Sequence, residues 1–158
     1  MNENKTEKHI IQASAIIPAR RERIYSLIAN YHDGHSRILP KQFSNLTVEQ
    51  GGVGAGTIIR FQMSVLGKNQ NFRAVVTEPE PGRVLAETYL DGNGAVTTFT
   101  VDPGTAPADS RVTISTELPV RSGILGSIER SAATLLLRRI YVRELQNLAR
   151  VATGPFGV

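Results

Sequence analysis

Residues 124–152, ILGSIERSAATLLLRRIYVRELQNLARVA, contain no proline and one interior glycine, Gly126. Nothing in the run breaks a helix. At 1.5 Å per residue, about 28 helical residues extend roughly 40 Å, more than the width of a small domain. Most segments before this run read as strands, so the helix must lie across a sheet. The space between that sheet and the helix is the first place to look for a function.

The run has two further properties. Together with Arg121 just before it, its Arg130, Arg138, Arg139, Arg143 and Arg150, opposed only by Glu129 and Glu144, carry the chain's whole net charge of +4. This is either a solvated helix face or a surface for weak peripheral contact with an anionic membrane or another acidic partner. No nucleic-acid-binding motif accompanies it, so nucleic acid is not an expected partner. The apolar side chains also change sides. At 100° per residue, Ile124, Leu125, Ile128, Ala132, Leu135 and Leu136 share one arc, and Leu137, Tyr141, Leu145, Leu148 and Ala152 lie on nearly the opposite one. A straight helix on a flat sheet keeps a single stripe. Either the sheet curls and the helix bends, or part of the first stripe serves a ligand, a lid or a second subunit.

With 158 residues and 41% hydrophobic composition, the chain supports one domain with its own core. Low aromatic content and the absence of Trp make that core mainly aliphatic. The absence of Cys excludes disulfides and Cys-ligated metal centres, and a cytoplasmic location is the expectation. No apolar run reaches the length of a membrane span. Residues 1–8 are polar and read as a flexible tail, residues 9–152 as a single domain, and residues 153–158 as a C-terminal tail.

Residues 9–17 (HIIQASAII) read as a strand stopped by Pro18. Pro18 and Ala19 then open a helix in which Ile24, Leu27 and Ile28 form an apolar stripe. Residues 31–41 hold Gly34 and Pro40 and read as a loop or a short second helix. Six strand-length runs follow, at 43–49, 57–66, 71–78, 83–90, 95–101 and 111–117, each bounded by turn residues. In 57–66, Ile59, Phe61, Met63 and Val65 alternate with Arg60, Gln62 and Ser64. No parallel crossover pattern appears after the first strand, so an antiparallel meander under one long helix is expected.

This order resembles the helix-grip fold of the START-like superfamily, which includes Bet v 1-like proteins and the polyketide cyclase/dehydrase group. Three stretches carry the resemblance. Residues 16–19 (IIPA) with 23–28 (RIYSLI) resemble the family's strand-to-helix opening. Residues 52–57 (GVGAGT) resemble its glycine-rich link, and residues 74–85 (AVVTEPEPGRVL) its following hairpin. The chain departs from the pattern at Leu39–Pro40, where Trp–Pro is usual, and at Asn30, where Asp is usual. The resemblance covers about residues 9–152. It implies an α+β fold in which a curved seven-stranded antiparallel sheet wraps around the C-terminal helix. It also implies a cavity for an apolar or amphipathic ligand of lipid, polyketide or aromatic kind. Within that superfamily some members are carriers, some are polyketide cyclases, aromatases or dehydratases, and some are protein-interaction modules of the chaperone-activator kind. A monomer or a homodimer is compatible with the sequence.

The chemistry-bearing residues are few. Gly51, Gly52, Gly54 and Gly56 lack the Gly-Lys-Ser/Thr of a phosphate loop, and Thr57 opens a strand rather than a helix, so they read as a sharp turn. His32, Asp33 and His35 have no fourth ligand at a recognisable spacing. No metal or cofactor is expected. His35 is a candidate acid or base at the pocket mouth. In 83–90, Leu85, Glu87 and Tyr89 share one face and Val84, Ala86, Thr88 and Leu90 the other. If the first set points inward, Glu87 and Tyr89 enter an apolar cavity, and Glu87 becomes a candidate acid or base. Under either choice Arg60 or Arg73 is an expected cross-strand partner for Glu87. The expected pocket walls are Ile59, Phe61, Met63, Phe72, Glu87, Tyr89, Leu137 and Tyr141, and the candidate catalytic residues are Glu87, Tyr89 and His35.

Overall fold

The computed structural model describes residues 8–65, 67–92, 94–119 and 124–155, apart from the side chains of residues 65 and 124–130. The elements run β1 (Lys8–Ile17), α1 (Arg21–Ala29), α2 (Gly34–Ile38), β2 (Phe43–Gln50), β3 (Ile58–Val65), β4 (Lys68–Glu80), β5 (Val84–Tyr89), β6 (Val96–Pro103), β7 (Ser110–Pro119) and α3 (Ile124–Thr153). All seven strands belong to one sheet in the order β1-β7-β6-β5-β4-β3-β2, and every pairing is antiparallel. β1 and β2 lie at opposite edges, and α1 and α2 carry the chain between them. This is the α+β helix-grip architecture that the sequence implied. No described helix is long and apolar enough to cross a membrane.

Period-two alternation sorts the strands into an inner and an outer face. Ile11, Ala13, Ile59, Phe61, Ala74, Val76, Leu85, Phe99, Val101, Val112 and Ile114 are buried. Each fully buried Ile, Leu or Val contributes about 1.5–3 kcal/mol relative to an exposed one. The opposite face carries charge and hydroxyls: Glu49 pairs with both Arg60 (2.7 Å) and Arg73 (2.6 Å), and Ser14 and Thr113 bond across strands at 2.6 Å.

α3 buries the stripe Tyr141, Leu145, Leu148 and Ala152, with Ile140 and Val151 beside it, and leaves Arg139, Arg143 and Arg150 exposed. Leu135 is 57% exposed, whereas Leu137, two residues on, packs against the core. Ala133 and Leu136 pack against the core as well, so the described part of α3 buries one continuous stripe and the expected change of side is not seen there. Ile124, Leu125 and Ile128 lie outside the described side chains.

The start of α1 differs from the sequence reading. Pro18 is not in the helix: Ala19 N–H donates to the Ile17 carbonyl at 2.8 Å, making a turn, and the helix begins at Arg21. The Ser110 hydroxyl, fully buried, donates to the Ala19 carbonyl at 2.7 Å and fixes that turn on β7. The glycine-rich link is a turn, as expected. Gly52 takes φ 138 and Gly54 φ 65, and their backbones bond to the end of α1 through Tyr31 N–H to Gly52 O (2.8 Å) and Gly54 N–H to Ala29 O (2.9 Å).

Residues 34–38, expected as a loop or a short helix, form α2, and its inner side is buried rather than exposed. A Cβ at Gly34 would stand 2.5 Å from the Leu27 carbonyl oxygen. Only glycine allows α2 to pack that closely on α1. Gly34→Ala should therefore destabilise the fold by about 1–3 kcal/mol, the usual range for overpacking. Gly56→Ala meets no neighbour within 4 Å but sits at φ +88, so its loss should be confined to backbone strain. Chemical denaturation of the two variants tests the ranking.

Candidate functional site

Between the sheet and α3 lies a cavity of about 180 Å³. All eight residues expected as pocket walls line it, and so does His35. On β5 the question left open by the sequence is resolved by the cavity lining: Glu87 and Tyr89 face the cavity, and Ala86 and Thr88 do not.

The register explains the chemistry. Glu87 stands opposite Val76 on β4 and Thr97 on β6, Thr97 stands opposite Thr116 on β7, and Thr116 opposite Ile11 on β1. One inward row of the sheet thus reads Val76, Glu87, Thr97, Thr116, Ile11. Its centre is polar. The Thr97 and Thr116 hydroxyls are 2.7 Å apart, Thr116 continues to the Tyr141 hydroxyl of α3, and Tyr89 reaches Thr97 at 3.5 Å. Burial pushes the Tyr141 phenol up to about 12 and that of Tyr89 higher still, so both keep their protons.

Glu87 does not pair with Arg60 or Arg73, because those side chains leave the other face of the sheet and are held by Glu49. Its partners come from the α1–α2 side. The Tyr31 hydroxyl donates to Glu87 Oε1 at 2.6 Å, and His35 Nε2 lies 3.5 Å from the same oxygen. Burial, then the charge of Glu87, holds the Tyr31 phenol well above its ordinary range. His35 is not at the pocket mouth. It is 2% exposed, its ring stacks on Tyr31 at 4.3 Å, and Nδ1 donates to the Ile28 carbonyl at 2.8 Å. A carbonyl only accepts, so Nδ1 carries a proton and Nε2 is the nitrogen turned to Glu87. His32 is exposed and packs over Gly52, so the two imidazoles do not converge.

Glu144 is the site residue that the sequence reading missed. It is 3% exposed, lines the cavity, and its Oε1 has no hydrogen-bond partner. Burial, with the charge of Glu87 adding to it, holds its carboxyl well above the ordinary carboxylate range. A signal was present: Leu137, Tyr141, Glu144 and Leu148 follow one another at helical spacing, which places Glu144 inside the apolar stripe. Tyr31, Thr97 and Thr116 were also missed.

The cavity has a direction. The end of α3 is tied to α1 and α2, since Arg23 Nε donates to the Ala152 carbonyl at 2.7 Å and Asn147 donates to the Ile38 carbonyl at 3.0 Å. Glu144, Glu87 and His35 lie toward that closed end. Toward the other end stand Leu137, the exposed Asp91 after β5, and an aromatic wall. In that wall Phe61 lies 5.5 Å from Phe72 and 5.7 Å from Phe43, and Phe72 lies 5.6 Å from Tyr89. The site is an apolar, ring-lined chamber with a polar floor.

Comparison with known proteins agrees with this geometry. Residues 8–153 match the family model described as polyketide cyclase / dehydrase and lipid transport. A search of curated proteins finds no match. Among solved structures, the KanY protein in solution is 25% identical, with a TM-score of 0.81 over 94% of this chain and 99% of its own. The Zhui aromatase/cyclase from Streptomyces sp. R1128 is 14% identical, with a TM-score of 0.75 over 96% of this chain and 100% of its own. Norcoclaurine synthase from Thalictrum flavum, solved with dopamine and hydroxybenzaldehyde, is 18% identical, with a TM-score of 0.69 over 92% of this chain and 86% of its own. The last two likenesses show the shared fold.

The position of Glu144 predicts how stability depends on pH. Its carboxyl titrates above its ordinary value of 4.5 in the folded chain. Below that value folded and unfolded chains both hold the proton. Above it the unfolded chain ionises first, so this group makes stability fall as pH rises. Glu144→Gln removes that loss. The stability of the variant relative to the parent should increase steadily as pH rises from about 4.5 toward neutrality, measured by urea denaturation across that range.

Proposed function

The chain belongs to the polyketide cyclase / dehydrase and lipid transport family, and we propose that its cavity binds a compact amphipathic ligand about the size of a single ring. The observation that carries this reading is the volume together with the lining. A cavity of about 180 Å³ is close to the roughly 150 Å³ of an engineered apolar cavity that takes up benzene, and far below the several hundred Å³ usual for drug-sized ligands. A long acyl chain or a multi-ring polyketide asks for more room. The wall of Phe43, Phe61, Phe72 and Tyr89 suits the faces and edges of a ring. The floor of Glu87, Glu144, Thr97 and Thr116 suits one polar group on that ring.

A second reading, a cyclase- or dehydratase-type enzyme, is favoured by the two carboxyls. Glu144 is inclined to hold a proton at the cavity floor, and Glu87 beside it is fixed by Tyr31. Such a pair offers an acid and a base to one bound molecule. Under that reading Glu87→Gln or Tyr89→Phe removes turnover while ligand is still bound. The third reading, a protein-interaction module, expects a cavity filled by side chains, and the open volume weighs against it.

Ligand-observed NMR tests the main reading. Single-ring compounds such as toluene and benzyl alcohol should show saturation transfer from the protein, and palmitate should not. Ala95 lines the cavity and is 5% exposed, so Ala95→Phe should fill the space and abolish the ring signals. Binding of palmitate in preference to the rings would overturn the reading.

A further inference from the structure

Among the described residues, the cavity wall contains Glu87, Glu144, Asp91 and His35 but no lysine or arginine. The charges do not cancel. His35 Nε2 faces Glu87 Oε1 at 3.5 Å and the Tyr31 hydroxyl donates to the same oxygen at 2.6 Å, so Glu87 has partners for its carboxyl. Glu144 has no such counter-group. It is 3% exposed, it faces the cavity, and Oε1 is unpartnered. A buried carboxyl with an unmade hydrogen bond is a costly arrangement. The carboxyl stays open to whatever enters the cavity.

We propose that the ligand is a small aromatic or cyclic amine, bound with its ammonium group on Glu144 Oε1 and its ring against the Phe61–Phe72–Tyr89 wall. The proposal rests on the single-ring reading above and names the polar group of that ligand. An ammonium supplies the hydrogen-bond donor that Glu144 Oε1 lacks; where Glu144 holds its proton, a neutral amine takes that proton and the same ammonium–carboxylate pair results, and a charge-assisted bond is about twice as strong as a neutral one. The threonine hydroxyls of the same floor have acceptor lone pairs for its remaining N–H groups. The aromatic faces around the cavity also favour a cation over an anion. A carboxylate ligand would find no lysine or arginine in the described lining to meet its charge, and a neutral alcohol would bring a donor without charge.

The test compares three molecules of nearly one shape, benzylamine, benzyl alcohol and benzoate, by calorimetry at neutral pH on the intact chain and on Glu144→Gln, whose fold is checked by its denaturation midpoint. Benzylamine should bind at least about tenfold more tightly than benzyl alcohol, a difference of about 1.4 kcal/mol, and benzoate should not bind measurably. In Glu144→Gln the ratio of amine to alcohol affinity should collapse toward one. A ratio near one in the parent chain, or a ratio that persists in the variant, overturns the amine assignment and leaves the cavity reading standing. Failure of all three molecules to bind the parent chain removes the single-ring reading itself, and the amine assignment with it.

Discussion

Glu87 faces inward because β5 is paired to β4 and β6 in one particular register, with Val76 on one side and Thr97 on the other. Strand side chains alternate with a strict period of two, so a slip of one residue would send Glu87 and Tyr89 to solvent and bring Thr88 and Leu90 inside. The same pairing aligns Thr97 with Thr116, and only that alignment lets Tyr141 of α3 complete the hydroxyl chain. Tyr31 and His35 depend on it too, because both reach the one oxygen that this register presents. The site is a property of sheet pairing first and of the helices second.

The carboxyl of Glu144 is at odds with stability. An apolar chamber of this size would be satisfied by leucine or glutamine at position 144, and a buried carboxyl with an open oxygen works against folding. Groups that burden the fold in this way concentrate where a protein binds or reacts. The contrast with Glu78 is instructive. That carboxylate accepts from Tyr25 at 2.7 Å and from the Ala55 N–H at 2.8 Å, and it secures the glycine-rich turn. Glu78 is satisfied and structural. Glu144 leaves Oε1 unpartnered and faces the cavity.

Much of this was legible in the sequence, for physical reasons that differ by residue. Ile59, Phe61 and Met63 were readable because large apolar groups alternate there with Arg60, Gln62 and Ser64, so only one face can be buried. The strand holding Glu87 was ambiguous because both of its faces are about equally apolar, and tertiary pairing had to decide. Arg73 and Arg60 were wrongly placed because cross-strand proximity says nothing about the face until the register is known. Tyr31 and His35 lie in a stretch with no periodic signal. Their burial follows from the packing of α2 on α1 at Gly34, a contact no local pattern encodes. Thr97 and Thr116 carry no inward signal because threonine is equally at home on the outside of a strand. Glu144 was read as a counter-charge to its neighbouring arginines, although its spacing from Tyr141 and Leu148 put it on the buried side.

The bond from Arg23 to the end of α3 joins residues 129 positions apart. Asn147 reaches Ile38 across 109 positions, and β1 meets β7 across nearly the same span. Contacts of such separation are the slow ones in folding, since a long loop must close before they return any free energy. The carboxyl of Glu144 therefore leaves water only when these distant segments have met. The same closure that completes the core also creates the chamber, so the binding site exists only where the two ends of the chain have been brought together.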